Sequence, residues 1–326
     1  LFGLIGLVAR RAVGGIPGSF FSGRAIFFFG RALCLPRFLF SIIHSCILLP
    51  WCDRMSQAQT TAEIALTSIT ISGPDAAAFM QSQLTLDIEK IEESRLYPAA
   101  WCRPDGRVDA VLLVALEGQQ LTLVLPSALA ETVRKRAGMY SIGRRVEIGK
   151  NAQAVCPAHS SHPGKRALAL SFDSERALAI SATDEPGTSD DAAWQLPIDW
   201  LRADIACGMP WIVPQTAGMF LPQMIGLEAI GGLSYRKGCF PGQEVIARVH
   251  YRGRVTRRIS AFRLQTDRPP APGTGLEMLE KPACVLYSVA SADADDACVG
   301  LAVVSADANS GAEIRFADAS GLLVSA

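Results

Sequence analysis

The sequence carries no excess of charge: 31 Lys and Arg stand against 31 Asp and Glu over 326 residues. Such a balance says little about partners. No apolar run is long enough to cross a bilayer, which takes about 20 residues. Within residues 1–54 the longest uncharged stretch, Phe38 to Cys52, has 15 residues and ends on Pro50-Trp51-Cys52. Closely spaced cysteines are lacking as well. After residue 54 they stand at 102, 156, 207, 239, 284 and 298, a spacing that excludes a zinc ribbon, a redox Cys-x-x-Cys and a ferredoxin-type cluster site. Scattered single thiols suit a reducing compartment, so the expected location is the cytoplasm. Phosphate-cradling loops of the G-x-x-x-x-G-K-[ST] or G-x-G-x-x-G type are missing after residue 54, which leaves nucleotide hydrolysis and dinucleotide redox chemistry unsupported. Histidine is scarce, at four residues. His159 and His162 lie in a Pro/Ser loop with no metal-ligand spacing and read as surface residues.

The neutral average hides a seam. Residues 1–54 hold six Arg, one acid (Asp53) and eight of the fourteen Phe; subtracting them leaves 25 basic and 30 acidic residues, a net of −5. The chain starts at Leu1, whereas Met55 followed by Ser-Gln-Ala-Gln-Thr-Thr resembles a start. Residues 1–54 therefore read as an N-terminal extension, either translated upstream of the true start or a targeting segment. A genuine transit peptide would place the protein in the mitochondrial matrix. Gly14-Gly15-Ile16-Pro17-Gly18 interrupts the amphipathic helix such a peptide needs. The remaining 272 residues belong to a chain that is 49% apolar and 19% charged, enough to bury a large core without disulfides.

Two compositional regimes divide that body. In residues 55–258, Leu66 to Ser72 alternates and is β-branched, and Gly73-Pro74-Asp75 turns it into a helix over Ala76 to Gln81. Val108 to Leu116 and Leu121 to Leu125 read as a hairpin, Pro126 to Ala137 as a helix, and Val146 to Ile148 as a closing strand. The pattern β-α-β-β-α-β is that of a split βαβ, ferredoxin-like sheet. Strands over 166–172 and 176–182 flank a Ser/Asp/Gly loop at 183–191, and a helix over Pro197 to Cys207 ends at Gly208-Met209-Pro210. In residues 259–326 short strands near 259–264, 276–280, 284–290, 298–304 and 312–317 predict a C-terminal antiparallel β-barrel module. The fold class is α+β.

The stretch that carries chemistry is a glycine-punctuated loop entering a helix, Gly231 to Arg248. Pro241 suits a first helical turn. Cys239 would then feel the helix dipole, and Lys237 two residues earlier adds a cation, so both favour a thiolate. The competing reading is a buried structural cysteine in a tight turn. Lys237-Gly238-Cys239-Phe240-Pro241-Gly242-Gln243-Glu244 resembles the K-G-C-[YF]-x-G-Q-E signature of the YgfZ family. These are folate-binding proteins implicated in iron–sulfur cluster assembly and tRNA modification, related in fold to the glycine-cleavage T-protein, an aminomethyltransferase. The resemblance extends over roughly 60–326 through Ile71 to Gln83, Trp200 to Pro210 and Phe220-Leu221-Pro222-Gln223. It implies a cloverleaf of α+β subdomains with the terminal barrel.

By that resemblance, Cys239 and Lys237 are the candidate catalytic residues, and Trp200, Lys237, Gly238, Cys239, Gly242, Gln243, Glu244 and Arg248 line the tetrahydrofolate site. Trp200 would lie along the pterin or aminobenzoyl group; its alternative is core packing. Leu66 stands where the family has a second folate-flanking Trp, leaving one face of the pterin unheld. T-proteins carry paired aspartates where this chain has Ala110 and Val111, and Asp109, one residue early, would point to the other face of its strand as an exposed residue. Glycine-cleavage chemistry is disfavoured on that account. Arg248, His250, Arg252, Arg254, Arg257 and Arg258 fall within eleven residues containing no acid. Such a cluster suits a folate polyglutamate tail or RNA phosphates, or is a solvated face. With only Tyr251 interleaved, direct tRNA binding is weakly supported. The resemblance thus implies a tetrahydrofolate-binding accessory protein for iron–sulfur enzymes such as radical-SAM methylthiotransferases, with any cluster held transiently and shared with the partner. Alternatives are an aminomethyltransferase-like one-carbon transferase and a non-catalytic folate-sensing scaffold.

Overall fold

The computed structural model describes residues 64–149, 153–158, 165–181, 194–266, 268–278, 282–290 and 297–324. All described residues belong to one compact unit. The extension 1–54, His159 and His162, and the loop 183–191 lie outside the described residues.

Strand β1 (Ala65–Ser72) is the hub of the larger sheet. One edge pairs antiparallel with β4 (Gln120–Pro126), Leu66 opposite Pro126 and Ile71 opposite Leu121; the other meets β5 (Glu147–Ile148), β6 (Gln153–Pro157) and β9 (Trp194–Gln195). From β4 the sheet runs through β3 (Val108–Glu117), β2 (Arg95–Cys102), β7 (Lys165–Leu170) and β8 (Ala177–Ser181) back to β6, closing on β1. Only β2 and β7 pair in parallel. The expected β-α-β-β-α-β reading thus omits β2. Its sequence, Arg-Leu-Tyr-Pro-Ala-Ala-Trp-Cys, has a proline and two alanines in place of alternation, because the strand is buried along most of its length.

Helix α1 (Ala76–Gln81) follows β1 as expected and buries Ala76, Phe79 and Met80. Helix α2 (Ser127–Tyr140) buries Leu129, Ala130, Val133 and Ala137, an i, i+4 stripe. Helix α3 (Ile198–Ala206) ends where Gly208 takes a left-handed φ of 72°. Leu66, Ile69 and Ile71 of β1, Leu123 of β4, Trp101 of β2, Trp211 and Phe220 share one continuous core.

The C-terminal sheet has the order β11 (Gly275–Leu276), β12 (Ala283–Ala290), β13 (Ala297–Ser305), β10 (Arg257–Gln265), β15 (Ala319–Val324), β14 (Glu313–Phe316). Reciprocal backbone hydrogen bonds of 2.9 Å between Glu277 and Arg315 join its two edges, so the sheet closes toward a barrel. Phe262, Leu264, Leu276, Val285, Ile314 and Leu323 fill it. The last strand was not legible: its pattern, Ala-Ser-Gly-Leu-Leu-Val, does not alternate, yet Gly321 is needed there because a Cβ would lie 2.0 Å from the Arg263 carbonyl oxygen.

Candidate functional site

The signature loop hangs between two fixed points. At the first, Lys237 is buried, with 8% of its surface exposed, and its ammonium donates to the carbonyls of Leu84 (2.6 Å) and Leu86 (2.7 Å). Desolvation lowers its pKa to about 8, opposed by the nearby Asp87 and Glu89 carboxylates. The same β1–β2 connection holds the loop upstream: Ser234 N–H donates to the Thr85 carbonyl (2.9 Å), and the Thr85 hydroxyl donates to the Gly232 carbonyl (2.7 Å). At the second point Gly242, φ 81°, is the N-cap of helix α4 (Gln243–Arg252). A Cβ on Gly242 would lie 2.5 Å from the Arg103 carbonyl oxygen and 2.5 Å from Cα of Gly106, itself left-handed at φ 79°. Two glycines in a conformation that L side chains avoid thus let the β2–β3 turn and the helix entry meet backbone to backbone.

Between these points Phe240 is buried, while Gly238 and Cys239 face solvent. Among the described residues, apart from its chain neighbours, nothing lies within 4 Å of where a Gly238 Cβ would stand, and its φ is not left-handed. The backbone therefore does not require glycine here. Gln243 donates from Nε2 to the Lys237 carbonyl (3.4 Å), and Gln223 from Nε2 to the Ile246 carbonyl (2.8 Å), bracing the helix entry from both sides.

Three expectations about this loop change. The helix begins at Gln243, so Pro241 is outside its first turn and Cys239 precedes it by four residues, too far for the terminal dipole to act strongly. The Lys237 ammonium turns inward to two carbonyls, so it is an anchor of the loop. Cys239 is an exposed thiol, against the reading of a buried cysteine in a tight turn.

Trp200, on α3, is half-buried and packs on the core. The Arg176 guanidinium lies 4.8 Å from its ring centroid and covers one face. Arg176 also donates to Asp173 (2.6 Å), Asp204 (2.7 Å), the Trp200 carbonyl (3.3 Å) and the Cys207 sulfur (3.3 Å). Burial pushes the Asp204 carboxyl up to about 6, opposed by Arg176 and by the Trp211 indole N–H donating at 2.8 Å. The Tyr287 hydroxyl of β12 donates to the Met209 carbonyl (2.8 Å), tying the end of α3 to the barrel. The sequence reading missed Arg176 and the 84–87 segment. Carbonyl acceptors leave no residue signature, and Arg176 lies in a short connection with no motif around it. Leu66 is fully buried in β1.

Asp109 is not an exposed strand residue. It is half-buried between the guanidinium groups of Arg103 and Arg136, and Arg136 also donates to the Cys102 carbonyl (3.1 Å). Its charge is spent inside the protein, and Ala110 and Val111 beside it are buried. The basic cluster is likewise only partly free. Arg248 pairs with Glu244 at 2.6 Å one turn earlier, Arg254 with Asp307 at 2.5 Å, and Arg258 donates to the Ala308 carbonyl at 2.6 Å. Arg252 and Arg257 are exposed without a carboxylate partner among the described residues. No group of three or more His, Cys, Asp or Glu that could hold a metal ion occurs among the described residues, and no described helix is long and apolar enough to cross a membrane.

No protein-family model matches the chain. Among curated proteins it is similar to an uncharacterized protein of Haemophilus influenzae, 30% identical over 221 residues, covering 64% of this chain and 75% of that protein. It is also similar to proteins described as tRNA-modifying protein YgfZ. The Cronobacter sakazakii one is 26% identical over 263 residues, 70% of this chain and 80% of that protein. The Klebsiella pneumoniae one is 27% identical over 258 residues, 68% and 79%. Among solved structures, the glycine cleavage system aminomethyltransferase T from Bartonella henselae superposes with a TM-score of 0.55 over 83% of this chain and 88% of that one, at 15% identity, a likeness of fold alone. A signature loop pinned at Lys237 and Gly242, relatives of that description and the shared architecture converge: the chain belongs to the YgfZ family, on the aminomethyltransferase T-protein fold.

Proposed function

We propose that this YgfZ-family chain is a tetrahydrofolate-binding accessory protein of the cytoplasm that serves iron–sulfur cluster assembly or repair. Its effect on tRNA runs through cluster-dependent methylthiotransferases, as the description of its relatives as tRNA-modifying suggests. The observation that carries the reading is the open space at Gly238 beside an exposed Cys239, on a loop whose flanks are fixed by Lys237 and Gly242. A folate would be held by the Gly238–Cys239 step, with Gln243, Glu244 and Arg248 at the helix entry and the half-buried Trp200 offering aromatic surface. Bound there, tetrahydrofolate supplies a one-carbon carrier; the chain's own part is to position it and to keep a thiol within reach. With no metal-binding group of its own among the described residues, the chain would lend Cys239 as one ligand to a cluster iron whose other ligands belong to the client enzyme. The domains proposed for this role are residues 55–258 for folate and 259–326 as the barrel.

Titration with tetrahydrofolate while following tryptophan fluorescence tests the folate half, with Trp200→Phe as the control. Saturable quenching that shrinks in the variant supports the site. Quenching unchanged in Trp200→Phe removes Trp200 from it. For the cluster half, complementation of a deletion strain by Cys239→Ser is read as methylthiolated tRNA; full restoration would leave the thiol without a role.

A further inference from the structure

The fold assembles something that one-dimensional spacing conceals. Tyr235, in the signature loop, stacks on His250 of α4 with ring centroids 3.7 Å apart and planes 20° from parallel. Tyr251 meets His250 edge-on at 4.7 Å and 84°, and Tyr235 at 6.3 Å and 66°. Tyr251 is 66% exposed, although an aromatic ring of that size gains by burial. Beside it runs a shallow groove of about 310 Å³ lined by Glu244, Ala247, Arg248, Tyr251 and Arg252.

We propose that this face of α4 docks single-stranded RNA, one base stacking on Tyr251 and the adjacent phosphates lying on Arg248 and Arg252. Each part of the surface has a counterpart in that ligand. An exposed ring braced edge-on by two others is a rigid stacking platform, indifferent to base identity because every base has a π-face. Arg252 carries a guanidinium without a carboxylate partner among the described residues. The Arg248–Glu244 pair, 2.6 Å, is exposed on both sides and therefore weak, so Arg248 exchanges that partner for a phosphate at small cost. The freed Glu244 carboxylate then faces the groove as an acceptor, which a ribose 2′-hydroxyl satisfies and a deoxyribose does not. Cations in the last turn of a helix would be accounted for by its dipole alone. The dipole does not account for the three-ring stack. A polyglutamate chain would meet the guanidinium groups and leave Tyr251 without a partner.

The groove shares Glu244 and Arg248 with the proposed folate site, whereas Tyr251 and Arg252 belong to the RNA surface alone, so variants at these two residues separate RNA docking from folate binding. The test uses the full chain and a fluorescein-labelled mixed-sequence 12-nucleotide RNA, followed by anisotropy in 100 mM KCl, with monoglutamate tetrahydrofolate quenching measured on the same preparations. Saturable RNA binding that weakens linearly with log salt is expected. Tyr251→Ala should weaken it at least 5-fold, the low end for loss of one base stack, and Tyr251→Phe should restore it. Arg252→Ala should flatten the salt slope by about one. Folate quenching stays at its wild-type level in all three variants, which touch only exposed groups. The proposal is overturned by an absence of saturable RNA binding, or by a Tyr251→Ala affinity equal to wild type. It is also overturned if sequence-matched DNA binds as tightly as RNA, or if poly-L-glutamate displaces the RNA with an affinity that Tyr251→Ala leaves unchanged.

Discussion

Gly238 and Gly242 bracket the same three residues, and alanine at each should separate binding from folding. At Gly242 the left-handed φ of 81° costs a non-glycine residue roughly 1–2 kcal/mol. A Cβ 2.5 Å from the Arg103 carbonyl oxygen and from Gly106 Cα meets backbone that cannot swing away, which adds about 1–3 kcal/mol. Gly242→Ala should therefore lose about 2–5 kcal/mol, lowering Tm by at least about 4 °C at about 2–4 °C per kcal/mol. Gly238 has neither the left-handed φ nor any neighbour within 4 Å of a Cβ. Gly238→Ala should keep or raise Tm, since it narrows the unfolded ensemble by about 0.4–1 kcal/mol. Its methyl stands in the space assigned to the ligand, so tetrahydrofolate affinity should drop roughly tenfold, about 1.4 kcal/mol. Differential scanning calorimetry and fluorescence titration on both variants give the two readouts. Wild-type folate affinity in Gly238→Ala would refute the assignment of that space. An unchanged Tm in Gly242→Ala would refute the strain argument.

Other outcomes follow from the same contacts. Lys237→Met deprives the Leu84 and Leu86 carbonyls of their donor, and a lower urea midpoint at unchanged slope is expected, by about 1–3 kcal/mol. Asp204 has a folded-state pKa of about 6 against 3.8, so between those values the folded protein holds a proton that the unfolded chain has lost. This contribution is fully present below 3.8 and disappears as pH rises through 6, about 3 kcal/mol at about 1.36 per pKa unit. Asp204→Asn should lack that slope in denaturation curves taken between pH 4 and 7; a slope equal to wild type would contradict the assignment. Among the described cysteines, iodoacetamide should label Cys239 first in the native protein. Burial pushes the Cys102, Cys207 and Cys284 thiols up and that of Cys298 to about 11, so peptide mapping should find each at least tenfold slower.

What could be read in advance was whatever the side chains themselves announce. The β-branched alternation of β1, the turn at Gly73-Pro74-Asp75 and the stop at Gly208 are local events, and each lies where its residues put it. Strand β2 escaped because a strand buried on both faces has no alternation to detect, and β15 because tight backbone packing at Gly321 selects against a side chain. The site divides along the same line. The signature loop was legible as a sequence of residue types, but its mechanics depend on carbonyls at Leu84 and Leu86 and on a turn at Gly106, more than 130 residues away in the chain. The Tyr235–His250 stack was hidden for a related reason: a loop residue and a helix residue become neighbours only because Lys237 and Gly242 fold the loop back on α4.

The anchors also explain why the signature needs a lysine and a glycine at a fixed separation. A compact ammonium on a flexible stem can meet two carbonyls converging from one segment, whereas a planar guanidinium spreads its donors outward. Lys237 therefore reaches inward as an arginine would not, and its desolvation is the cost of that reach. Gly242 fixes the other end by letting two backbones touch. With Phe240 buried and Pro241 partly buried between them, Gly238 and Cys239 are the residues left exposed. Under the function proposed above, a thiol on so short a span would have few conformations left to lose on meeting a ligand. Lys237 thus acts on Cys239 through geometry: it holds the step on which the sulfur is exposed.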